Sequence, residues 1–317
     1  MSRRTSPDAP ASRRPGVAAA LPNHLASHWP RVLRLLASVL CPALAMAAGP
    51  EEPWRSMGEP GIQVIYARGR EETARSALDA ARATTDRTAR ELGLARPRPI
   101  AVVLHPTHAG FARAAGIRRR DLVVGIAVAA GDTAHIDASG VLADVPTVVA
   151  HEVAHLLLVQ ATAGARLPRW FDEGYAEHAS APARWPARER LAEHQSRGRL
   201  FALSDLESDF PRGEAAASVA YDQSHALVAY ILEHSPPGAL PELTRRLRSG
   251  QAFPEALAES TGRRLADWDA AWRADFRGRF RWHSWVMAGA GATGILMAAL
   301  CVLAFRAIRR RKEQLPE

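Results

Sequence analysis

The chain has 317 residues, enough for one or two domains with a real core. Its formal net charge is +8, but six arginines in 1–48 and five basic residues in 306–317 supply the excess, and residues 49–305 carry equal numbers of acidic and basic side chains. That balance argues against a nucleic-acid partner, whose binding domain carries its own basic face. The only cysteines, Cys41 and Cys301, lie in apolar terminal segments, which excludes a disulfide framework, a cysteine nucleophile or a thiolate metal site in between.

Leu35–Ala48 is an apolar run behind Arg31 and Arg34, and it ends in small residues spaced as A-x-A cleavage sites. Residues 1–48 are therefore expected to be a signal peptide with an extended n-region; the alternative is a retained anchor. Cys41 follows Leu40 rather than a small residue, which argues against lipidation. Gly61–Gly69 reads as a strand, Arg70–Leu94 as an amphipathic helix, and Pro99–Pro106 as a short buried strand bounded by prolines. Val123–Asp137 reads as a hairpin turning near Gly131-Asp132. Next comes a helix that Asp144 can cap, with Pro146 suited to its first turn. After residue 170 the pattern is helical. Strands first and helices later is α+β order.

Trp285–Phe305 holds 21 residues and no charge, long enough to cross a bilayer at about 1.5 Å per residue. Arg306, Arg309, Arg310, Arg311 and Lys312 follow at once. The positive-inside rule then puts residues 306–317 in the cytoplasm and the preceding domain, 49–280, outside. The expected localisation is the cell membrane, single-pass, with the domain on the periplasmic side.

The helix after Asp144 contains TVVAHEVAHLLL, Thr147–Leu158. His151 and His155 are four apart, so one helix face presents both imidazoles one turn apart, and Glu152 lies one step round. H-E-x-x-H on a helix grips zinc through the two histidines and uses the glutamate as general base. Catalytic zinc needs a third protein ligand and an open position. Without thiolates, that ligand must be a carboxylate or a third histidine. Downstream, LPRWFDEGYAEHAS (Leu167–Ser180) starts like a second helix and carries Glu173 beside Gly174, which lets two helices approach closely.

HEVAH followed by WFDEGYAEH resembles the gluzincin zinc metallopeptidases, and the L-P-x-W-x-x-E-G-x-A flanks resemble the peptidase MA-like domains. The resemblance runs from about Gly61 to Phe276. It implies a gluzincin-like catalytic domain, a small mixed sheet followed by a helical part, with Glu173 as third zinc ligand. AYDQSHALVAYILE (Ala220–Glu233) resembles the gluzincin helix that opens with Tyr-x-x-G, although Ser224 stands where Gly is frequent. By that match Tyr221 donates to the oxyanion, with His225 the second candidate on the same face.

Other residues read more plainly. Glu177 either orients a ligand histidine or faces solvent. His135 reads as structural, in a strand beside the edge that lines the cleft in this fold. Trp268 and Trp272 read as core anchors, and Arg118–Arg120 as a solvated turn. The expected activity is peptide-bond hydrolysis with zinc on His151, His155 and Glu173 and with Glu152 and Tyr221 as catalytic groups. The strand Gly125–Asp137 lacks the glutamate with which gluzincin aminopeptidases recognise a free amino terminus, which leaves endopeptidase or narrow-specificity action. The substrate is expected among peptides or proteins of the cell envelope. An alternative of another class is an inactive, membrane-anchored zinc-binding scaffold.

Overall fold

The computed structural model describes residues 54–117, 123–140, 144–180, 191–195 and 197–279, with five isolated helical positions between 297 and 306. Apart from those isolated positions, the expected leader, membrane span, basic tail and Arg118–Arg120 turn lie outside the described residues. Among the described residues no helix is long and apolar enough to cross a membrane.

Five strands form one sheet: β1 (Trp54–Glu59), β2 (Ile62–Ala67), β3 (Ile100–His105), β4 (Gly125–Val128) and β5 (Thr133–Asp137). Their order is β1-β2-β3-β5-β4, with the inner pairings parallel and the outer two antiparallel. A parallel pair needs a crossover, and α1 (Glu71–Glu91) supplies it between β2 and β3. The buried stripe of α1, Ala74, Ala77 and Ala81, covers the sheet face made by Val64, Val102, Leu104 and Ile136. Small side chains at helical spacing let this helix sit close to the strands.

A short helix, α2 (His108–Ala115), crosses the opposite sheet face and plants Phe111 against His105. Helix α3 (Val145–Thr162) is buried almost all round, which suits its nearly unbroken apolar sequence. Asp144 caps it by accepting from the Thr147 N–H at 3.2 Å, and Pro146 stands in its first turn, as the sequence predicts. The far end is pinned. The Gln160 carboxamide accepts from the Arg98 N–H at 2.7 Å and donates to Asp132 at 3.0 Å, and Arg98 closes the triangle on Asp132. Asp132 is the left-handed turn residue between β4 and β5 (φ 46°), so this knot fixes α3 against the β4–β5 hairpin.

The helical part follows: α4 (Arg169–Ser180), α5 (Glu214–His234), α6 (Ala239–Arg248), α7 (Phe253–Thr261) and α8 (265–279). Trp268 and Trp272 of α8 are buried, the anchors the sequence predicts. The architecture is the small mixed sheet with helices expected for α+β. Two elements, β1 and α2, depart from the sequence reading. β1 is exposed at five of its six positions and so lacks any buried-exposed alternation.

Candidate metal centre

Helix α3 presents His151 and His155 on one face, with their Nε2 atoms 3.1 Å apart. Glu173 reaches them from the second turn of α4, its Oε2 3.6 Å from each Nε2. These three donors form the one group of metal-ligating side chains found among the described residues. A point equidistant from the three atoms lies about 2.0 Å from each, the bond length zinc makes with imidazole nitrogen and carboxylate oxygen. The donor set therefore fits a zinc-sized cation without rearrangement. Two nitrogens and an oxygen, with no thiolate and only three ligands, also leave room for a water or a substrate oxygen.

The packing of α4 explains why Glu173 arrives there. An added Cβ on Gly174 would lie 2.5 Å from the Ser224 carbonyl oxygen on α5, so only glycine allows α4 and α5 to approach this closely. Trp170, Phe171 and Tyr175, all buried, seat α4 in the core.

Carboxylates support the imidazoles. The Nδ1–H of His155 donates to Asp172 Oδ1 at 2.8 Å, which leaves Nε2 as the free donor atom toward Glu173. Burial opposes charge on His155, but Asp172 and Glu173 more than reverse that and hold its pKa well above the ordinary histidine range. Burial pushes Glu173 up, yet the two imidazoles beside it outweigh that and hold its carboxyl far below the usual range. Glu177 stands 3.9 Å from His151 Nδ1, beyond hydrogen-bonding distance but close enough for attraction. The sequence singles out Glu177 and passes over Asp172. Adjacency to Glu173 was the available signal, but helical spacing alone does not say which way Asp172 points.

Glu152 is buried between α3 and β4. An added Cβ on Gly125 would lie 2.5 Å from Glu152 Oε1, so the carboxyl occupies space that only glycine leaves open. Burial raises the Glu152 pKa and outweighs the opposing pull of His151, His155 and the Ala127 backbone. Asp137 N–H bonds the Val124 carbonyl at 2.8 Å. The antiparallel alternation from that bond turns the backbone groups of Gly125 and Ala127 away from β5, onto the open edge of β4. Among the described residues no strand pairs with that edge of β4, and the base candidate lies beside it.

Tyr221 stands on α5, where its ring meets Phe210 edge-on with centroids 4.8 Å apart. Burial raises its pKa, the Glu173 charge adds to that, and the Arg169 guanidinium opposes it. It therefore shares the electrostatic neighbourhood of the third ligand. His225, one turn on, has its ring 6.2 Å from that of His178. His135 lies on the far sheet face, with its Nδ1 3.0 Å from His105 Nε2. Arg169 is the other residue that sequence reasoning missed.

A cation site built from an H-E-x-x-H helix and a carboxylate on the next helix, beside an antiparallel edge strand, defines a metallohydrolase type of domain. The model of the Peptidase MA superfamily matches residues 80–278, and the chain belongs to that superfamily. No curated protein matches it.

Proposed function

We propose that the protein is a zinc-dependent endopeptidase. The observation that carries this reading is the convergence of His151, His155 and Glu173 at metal-bonding separation with the buried carboxyl of Glu152 alongside. Membership of the Peptidase MA superfamily supports a peptidase. His151, His155 and Glu173 would hold the zinc, which would supply Lewis acidity to the scissile carbonyl and to the attacking water.

The chain's own groups then have defined tasks. Glu152 accepts a proton from the attacking water at its carboxylate and later delivers it to the leaving amine. Its burial supports this task, because a raised carboxyl pKa brings the base nearer to working pH. Tyr221 donates its hydroxyl proton to the oxygen that gains negative charge. The outer edge of β4, which no strand covers among the described residues, aligns an extended substrate by backbone hydrogen bonds. The absence of a glutamate between Gly125 and Asp137 supports internal cleavage over amino-terminal trimming. The leader and the uncharged Trp285–Phe305 stretch support a site of action at the outer face of the membrane, on peptides or proteins of the envelope.

The experiment is Glu152→Gln in the full chain. Zinc content is expected to stay stoichiometric while casein hydrolysis falls about 10²–10⁴-fold. Full activity in that variant would falsify the base assignment. A wild-type protein that binds stoichiometric zinc but cleaves no envelope protein would favour the scaffold instead.

A further inference from the structure

We infer that Arg169 is a positioning residue that orients the third metal ligand directly and Tyr221 through the Phe210 ring, a role that rests on the zinc-site reading above. Three contacts carry the inference. Arg169 begins α4 and lies one turn before Glu173 on the same face, with its Nη2 3.5 Å from Glu173 Oε1. The other oxygen, Oε2, is the one that faces both imidazoles. One carboxylate oxygen is thus turned to the arginine and the other to the metal position. Ligating carboxylates need such outer partners to fix their orientation.

The second contact is with Tyr221. The Arg169 guanidinium lies over the Phe210 ring that packs edge-on against Tyr221, and its positive charge acts on the tyrosine hydroxyl. A phenol has one proton to give and lone pairs to accept with. A positive charge beside the phenol favours a hydroxyl whose O–H points away from it, toward a substrate oxygen. Guanidinium is suited to serving two oxygens at once, because its five N–H groups lie in a rigid plane and it stays charged at any working pH.

The third contact fixes the arginine itself. Its guanidinium carbon lies 5.1 Å from the Phe210 ring centroid, and Phe210 packs edge-on against Tyr221. The Arg169 backbone N–H donates to the Glu207 carbonyl at 2.8 Å and so holds the 207–210 segment beside the residue, while the side-chain Nη1 reaches Asp209 at 3.4 Å. The 207–210 segment therefore forms a seat for the side chain. The Asp209 carboxylate is 91% exposed, so its ion pair adds little.

The test uses the full chain in detergent. Zinc affinity is read by chelator competition, and fold by the thermal midpoint of the zinc-free protein. Arg169→Met is expected to weaken zinc about ten- to a hundredfold. Arg169→Lys, which keeps charge but not the planar fork, should fall between that variant and wild type, and it stands in if Arg169→Met does not fold. Asp209→Asn should bind zinc within about twofold of wild type. Casein turnover supplies a second readout. Tyr221→Phe should lower kcat at unchanged zinc affinity, and in the Arg169→Met background it should cost less than about twofold more, because groups acting as a unit are not additive.

Wild-type zinc affinity in Arg169→Met overturns the inference. So does an Asp209→Asn loss equal to that of Arg169→Met, or kcat losses that multiply. Two failures belong to the zinc-site reading instead: wild-type protein that takes up no zinc, or Tyr221→Phe with unaltered kcat.

Discussion

Gly125 shows how far a single residue can set the chemistry. A methyl group there would meet Glu152 Oε1 at 2.5 Å, Glu152 Cγ at 2.8 Å and the Val148 side chain at 2.7 Å. The backbone has no objection to alanine, since Gly125 is not among the glycines with positive φ. Gly125→Ala should therefore fold and hold zinc while displacing the Glu152 carboxyl from its seat against β4. A kcat at least tenfold lower at unchanged zinc stoichiometry is expected, since misplacing a catalytic group by about 1 Å can cost about a hundredfold. Wild-type turnover would mean that the carboxyl has slack in its seat. At this scale the sequence is legible where a helix fixes the spacing. His151, Glu152 and His155 can be read directly because i, i+4 residues share a face. Asp172 and Arg169 cannot, because their roles depend on which way α4 is rotated against α3 and α5.

The unit that delivers Glu173 is the α4–α5 pair. Its closeness depends on Gly174, where a Cβ would lie 2.5 Å from the Ser224 carbonyl oxygen and 2.7 Å from its carbon. Those atoms are backbone, so the clash is relieved only by moving a helix. Alanine is intrinsically the better helix former by about 1 kcal/mol. Overpacking of this kind typically costs about 1–3 kcal/mol, and that penalty should win. Gly174→Ala is expected to lower the urea midpoint and to weaken zinc binding together, because the helix that must move carries a ligand. A stabilised variant with unchanged zinc affinity would show that the helices part without shifting Glu173. The glycine's role in a close helix approach can be read from sequence, but its partner cannot: Ser224 is 50 residues downstream and carries no pattern that points back to α4. β1 was hidden for another reason. An edge strand with one half-buried position has no period-2 pattern to read.

For the whole molecule, the sheet divides the titratable groups into two sets. The metal-site residues lie on the α3 side. On the other face His105 and His135 share a 3.0 Å hydrogen bond, and beside them His108 meets the buried carboxylate of Asp137 at 2.8 Å. The fold class could be read from hydrophobic periods, but this grouping could not. It depends on the strand order β1-β2-β3-β5-β4, which brings residues 105 and 135 together through a crossover. Burial, with His135 second, pushes the His105 imidazole down to about 4, and burial lowers His135 as well. An unfolded chain protonates His105 below about 6.5, whereas the folded chain resists until about 4. Between those values the unfolded state binds more protons, so stability is full above about pH 6.5 and is lost as pH falls toward 4. The shift corresponds to up to about 3 kcal/mol. In zinc-free protein the raised pKa of His155 acts in the opposite sense, lending stability below pH 6.5 that is lost as pH rises through its folded value. The net profile therefore mixes both signs, and a comparison isolates one of them. Urea midpoints of zinc-free wild type and His105→Gln, taken from pH 7 to 4.5, should converge as the pH falls, with the wild type losing more. Parallel profiles would mean that His105 protonates in the folded sheet as readily as in the open chain.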